Sequence, residues 1–188
     1  MFLFFLTVVF TLVAGSPHST PNDGIHYPQP TLENLVAALS TSEHIWLTRS
    51  GHTFGTLKCI YWVNDGIYNN TKYYFYQWYR KGDQTKKEYL NALLSNGSTG
   101  PVMKAKLVVA TGGWTTYTLQ FWNSTEKCFI FKTDGSCERY IWKSKIGKTP
   151  ECDKAYDSKC GGYDYPVYAD GCINPKSICI GPRSNCIP

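Results

Sequence analysis

The chain has 188 residues, eight cysteines, 14 tyrosines, six tryptophans and a formal net charge of +5. That length fits one domain. The charge is spread out, densest at Lys81, Lys86 and Lys87 in a polar turn, and no basic run or nucleic-acid reading motif accompanies it, so no nucleic-acid partner is expected.

The run Met1 to Val13 is apolar but shorter than the roughly 20 residues that span a bilayer as a helix. Small residues follow at Ala14, Gly15 and Ser16, the pattern of a signal peptide over residues 1–15 with cleavage after Gly15, although no Lys or Arg precedes the run. No second long apolar run follows, so a secreted protein without a membrane span is expected. Residues 16–30 carry four prolines among polar residues and read as a flexible leader. Leu32, Leu35, Val36 and Leu39 then fall at i, i+3, i+4 and i+7, which predicts a short amphipathic helix with Thr31 as its N-cap.

From Ile45 to Lys143 the texture is that of strands, rich in aromatic and β-branched residues and divided by turn residues. Strands are predicted at 45–49, 56–63, 71–80, 102–110, 115–122, 126–132 and 137–143. An eighth at 87–94 competes with a helical turn, because Leu, Ala and Glu suit either. Asn64-Asp65-Gly66, Ser95-Asn96-Gly97, Gly112-Gly113 and Asp134-Gly135-Ser136 mark turns. Such a meander makes a sandwich or an up-and-down barrel. Met103, Ala105, Leu107 and Val109 alternate with Lys104 and Lys106, so the apolar set faces inward. Strand 71–80 is aromatic on both faces, which predicts a lumen on one side and a packed helix on the other.

After Pro150, residues 151–159 read as a short helix carrying Cys152 and Tyr156. The tail 161–188 is rich in Gly, Pro and Cys and needs disulfides to hold it, as a loop pinned over the barrel or a small appendage. The eight cysteines, Cys59, Cys128, Cys137, Cys152, Cys160, Cys172, Cys179 and Cys186, are even in number and lack a CxxC pair. In an exported chain they read as disulfides and not as a metal site. Asn69, Asn96 and Asn123 each begin an Asn-x-Ser/Thr sequence, the acceptor for a glycan on a surface loop.

No nucleophile, metalloprotease or phosphate-loop pattern is present, and the four histidines lie in the leader or near the first strand. The chain therefore reads as a binding protein, not an enzyme, with no cofactor and as a monomer.

The segment Cys128-Phe129-Ile130-Phe131, then Tyr140-Ile141-Trp142, then Cys152, resembles a pattern of the salivary lipocalins of ticks. The resemblance covers about residues 31–160. It implies an eight-stranded antiparallel lipocalin barrel with a short N-terminal helix, a C-terminal helix and a Cys-rich tail, secreted into saliva. It also implies that Cys128 pairs with Cys152, and that Cys59 pairs with a C-terminal cysteine: Cys186, Cys160, Cys172 or Cys179. Cys137 is extra to the pattern and needs a further partner.

Members of that family bind histamine and serotonin, or eicosanoids and other lipids, or modulate host immune cells. Amine-binding members carry an acid just before a Leu-Trp pair, where this chain has Tyr140, and another just after the cysteine matching Cys128, where it has Phe129. A third, before an aromatic-Gly pair resembling Phe54-Gly55, is also missing, with Gly51 near its place. Glu43, Asp65 and Glu138 read as lying at strand ends or on outer faces. An unpaired buried ammonium is strongly disfavoured, so these substitutions argue for an apolar ligand, a sterol such as cholesterol. Phe54, Phe75, Met103, Leu107, Phe129, Phe131 and Trp142 are expected to line its body, with Tyr140 bonding its polar end. The resemblance would then add modulation of host immune cells such as dendritic cells, through a receptor. The alternatives are a scavenger of an eicosanoid, with Arg49, Arg80 or Arg139 as its cation, a scavenger of a biogenic amine, or a protein-binding immune or complement inhibitor acting through surface loops.

Overall fold

A computed structural model describes residues 27–109, 112–161 and 164–173. The signal peptide, most of the leader, Cys179 and Cys186 lie outside them. Helix α1 (Leu32–Leu39) is followed by strands β1 (Ile45–Ser50), β2 (Leu57–Tyr68), β3 (Lys72–Lys81), β4 (Gln84–Ser95), β5 (Val102–Leu107), β6 (Thr115–Asn123), β7 (Cys128–Thr133) and β8 (Ser136–Trp142). Helix α2 (Pro150–Cys160) and the two-residue β9 (Tyr165–Pro166) complete the chain. Successive strands pair antiparallel from β2 to β8, β8 pairs with β1, and β1 returns to β2 through Ile45 opposite Trp62 and Trp46 opposite Tyr61. The sheet is a closed barrel, one of the two architectures the strand spacing allows and the one the resemblance implies.

Three features differ from the sequence expectation, and segment 87–94 settles a choice the sequence left open. Asn64-Asp65-Gly66 is not a turn: the Asn64 side-chain oxygen accepts from Gly66 N at 2.8 Å, and the extra residue is absorbed as a bulge within β2. Segment 87–94 belongs to a long strand, because its pairing on both sides with β3 and β5 overrides helical propensity. The strand predicted to reach Ala110 ends at Leu107. Among the described residues the outer face of β3 carries no helix, since α2 packs against β6, β7 and β8 instead.

Helix α1 starts at a reciprocal cap, in which Asn34 N donates to Thr31 Oγ1 and Thr31 N donates to Asn34 Oδ1. Leu35, Ala38 and Leu39 are fully buried against the barrel interior, and Trp142 Nε1 donates to the Ala38 carbonyl at 3.0 Å. The helix thus plugs one end. Replacing Leu35 with Ala removes a side chain in contact with that core and should cost about 2–5 kcal/mol in urea unfolding, with an unchanged m-value. The turns after β2, β4 and β6 lie at this closed end, with Asn70 and Asn96 lining a cleft beside α1. All three glycan-acceptor sequences therefore sit there.

Helix α2 buries Cys152, Ala155 and Tyr156 against Phe121, Ile130 and Ile141. Disulfides Cys128–Cys152 and Cys137–Cys160 hold its two ends. Its own N-cap, Thr149, makes no side-chain bond. Glu126, from the turn after β6, accepts instead from Glu151 N at 3.1 Å and Cys152 N at 2.9 Å.

The tail is built into the barrel wall. A bulge near Cys59, whose φ of 56° lies in the left-handed region, leads β2 away from β1 toward the open end. The gap is filled by residues 165–167: Pro166 and Tyr165 pair with Arg49 and Ser50, and Cys59 N donates to the Val167 carbonyl at 3.0 Å. Val167 is buried in the core, and Cys172 bonds to Cys59.

Candidate ligand-binding site

Along β8 the side chains alternate. Cys137, Arg139 and Ile141 face α2, while Glu138, Tyr140 and Trp142 face the lumen. Arg139 forms an ion pair with Asp153 and donates through Nε to Thr48 Oγ1 at 3.0 Å. On β7, Phe129 and Phe131 point inward; Trp62 on β2 and Tyr117 on β6 face them. The Trp62 and Tyr140 rings stack with centroids 4.2 Å apart. Tyr117 meets Trp62 edge-on at 5.9 Å and Phe131 at 5.5 Å. These four rings form the upper lumen.

Glu138 stands among them, 3% exposed. Its Oε2 accepts from Tyr140 OH at 2.6 Å, and its Oε1 faces His52 Nε2 at 3.6 Å. Burial raises the carboxyl pKa to about 7, more than the Tyr140 bond lowers it. Partial burial lowers the pKa of His52, which makes its ring a weaker cation toward Glu138 than an exposed histidine would be. Ionised Glu138 is therefore a buried negative charge in an aromatic box, with the His52 ring at 3.6 Å as its titratable partner among the described residues.

Above the box, Gln77, Glu88, Leu90, Leu107 and Tyr117 line a cleft of about 250 Å3 at the open end. Trp62 Nε1 donates to Gln77 Oε1 at 3.0 Å, and Tyr79 OH donates to Glu88 Oε1 at 2.9 Å. Tyr117 belongs to both cleft and box, while Glu138 itself does not line the cleft. An eight-stranded barrel has room for side chains or one small ligand, and here the lower lumen is closed by fully buried Tyr73, Phe75, Met103 and Phe129.

The residues expected to line a ligand are thus divided. Phe131 and Tyr140 are at the box, Phe129 lies beside them, and Leu107 lines the cleft. Phe75 and Met103 are deep core, Trp142 anchors α1, and Phe54 sits at the rim against His52. Glu138 was expected on an outer face and is instead inside. Glu43 does lie at the closed end, accepting from Ser144 N at 2.8 Å, and Asp65 lies outside, accepting from Tyr89 OH at 2.7 Å. The three arginines considered for a ligand carboxylate are not in the lumen. Arg49 pairs with Asp157 and Asp164, Arg139 with Asp153, and Arg80 lines an outer cleft beside the tail. Glu88, Trp62, Gln77 and Tyr117 were not singled out from the sequence. Among the described residues no group of three or more His, Cys, Asp or Glu side chains is placed to hold a metal ion.

A closed eight-stranded barrel, one end plugged by a short helix and a second helix stapled outside, is a lipocalin-like fold. Among solved structures, the chain is similar to AM182 in its complex with serotonin, with a TM-score of 0.57 and 18% identity over 73% of this chain and 91% of that one. No family model matches the chain, and no curated protein sequence does.

Proposed function

We propose that this is a secreted, non-enzymatic barrel that captures a small protonated amine carrying an aromatic ring. The carrying observation is Glu138, a buried carboxylate in the upper lumen whose His52 neighbour at 3.6 Å is a weak cation. An ammonium group supplies the missing charge, and Trp62, Tyr117, Phe131 and Tyr140 supply faces for both the cation and the ring. The serotonin bound by AM182 belongs to this chemical class. A sterol fits less well: its body would lie against a buried carboxylate, and the lower lumen is already filled by side chains. An eicosanoid fits less well again, because its carboxylate would meet Glu138 and Glu88, with Lys106 rather than any of the three arginines as the cation lining the cleft.

Calorimetric titration with serotonin, histamine and cholesterol tests the reading. One amine should bind at one per chain and cholesterol should not. Stoichiometric cholesterol with no amine binding would overturn it.

The affinity should also depend on pH. The binding-competent form has Glu138 ionised, and its pKa is raised to about 7. As pH falls below that value the competent fraction falls, so the apparent Kd should rise about tenfold per unit between pH 6 and 5 and level off above pH 8. Titrations across pH 5–8 check this.

A further inference from the structure

The aromatic side chains on the outside of β3 and β4 are not explained by the lumen. Antiparallel register aligns outward positions in rows: Lys72, Leu93 and Lys104 in one, Tyr74, Asn91 and Lys106 in the next, then Tyr76 beside Tyr89. The rings touch, Tyr76 with Tyr89 at 4.7 Å and Tyr68 with Tyr74 at 5.7 Å between centroids. Lys87 Nζ lies 3.7 Å from the Tyr76 centroid, and Lys106 Nζ lies 4.7 Å from that of Trp114. Tyr68, Leu93, Val108 and Trp114, on or bordering this face, are among the most exposed large apolar residues described, at 55%, 43%, 46% and 41%. Helix α2 packs on the other side of the barrel, and among the described residues no helix covers this face.

The charge on this face is predominantly positive. Lys72, Arg80, Lys87, Lys104 and Lys106 point outward from β3, β4 and β5, and no outward position of those strands carries a carboxylate. Asp65, on the adjoining strand, is already engaged by the Tyr89 hydroxyl. Exposed Tyr and Trp with flanking cations make up a protein-recognition surface, and a basic face selects an acidic counterpart. Leu93 and Val108 favour a protein over a sulfated sugar, which offers little aliphatic surface to cover them.

We propose that the outer face of β2 to β5 docks an acidic surface of another protein. This site is separate from the lumen and does not depend on what the lumen binds. The test uses the full-length secreted protein as bait for a display library built on a small folded scaffold. Lys72→Glu/Lys104→Glu and Leu93→Ser variants, altered only at exposed positions, serve as controls. Enriched clones should carry acidic patches flanked by apolar residues and should lose at least tenfold in affinity for either variant. Enrichment without acidic residues, or equal binding to the variants, overturns the proposal. So does specific retention by heparin that the lysine variant abolishes while no clone is enriched, because that assigns the face to a sulfated glycan. Self-association in sedimentation that Leu93→Ser abolishes overturns it as well, by assigning the face to a second copy of the chain.

Discussion

Replacing Glu138 with Gln should weaken amine binding by about a hundredfold. Gln keeps the shape and can still accept from Tyr140 OH, but it removes the charge that faces the ammonium. Losing one partner of a buried charge pair costs about 3 kcal/mol, which is roughly a hundredfold in Kd. The pH dependence of affinity below pH 8 should vanish with it. Stability should move the other way. The folded-state pKa of Glu138 is raised from 4.5 to about 7, so the folded protein holds this proton where the unfolded chain has released it. Native stability therefore falls as pH rises from about 4.5 to 7, and the ionised carboxylate costs about 3 kcal/mol at pH 8. Glu138→Gln should recover most of that at pH 8 and little at pH 4. Urea unfolding at the two pH values, alongside calorimetry, measures both effects. A variant that loses binding and stability together at pH 8 would mark Glu138 as a structural residue instead.

Removing the Cys59–Cys172 bond by Cys59→Ala/Cys172→Ala should cost about 4–5 kcal/mol. The bond joins residues 113 apart, and the chain-entropy model gives roughly 4.7 kcal/mol for a loop near that length. The damage should be local first. Without the bond, residues 165–167 keep their short pairing to β1, one backbone bond to Cys59 N and the buried Val167 side chain. Amide exchange at Cys59 and Ser50 should accelerate before exchange in β6 and β7, and the thermal midpoint should fall by more than 10 °C. Uniform acceleration across the barrel would show that the tail is not a separately opening unit.

Much of the barrel was legible because its inward positions keep period two. β5 alternates Met103 and Ala105 with Lys104 and Lys106, and α1 has a clear apolar stripe. The bulge at Asn64 to Gly66 was not legible, since the same three residues make an equally good turn when read locally. Nor was the role of the tail, because β9 has no strand pattern of its own and is defined by a gap between two distant strands. The site was half legible. Placing Tyr140 and Trp142 in the lumen fixes the parity of β8, and by that parity Glu138 also points inward. A charged residue normally reads as exposed, and that expectation outweighed the alternation. The absence of acids at Tyr140 and Phe129 then argued for an uncharged lumen, whereas a carboxylate lies inside it two residues before Tyr140. Trp62 and Tyr117 carried no local signal beyond being aromatic in a β protein.

The turns bearing Asn69, Asn96 and Asn123 all lie at the end plugged by α1, whereas His52, Phe54 and the cleft above Glu138 lie at the other. A sugar chain on any of the three asparagines therefore projects away from the mouth. The Asn123 side-chain oxygen accepts from Thr125 N and Glu126 N at 2.9 Å, which leaves its amide nitrogen to carry the linkage without disturbing that turn. Hydrodynamic bulk and masking from antibodies added at one pole would thus leave the cleft at the opposite one unobstructed, so the two ends are free to vary independently.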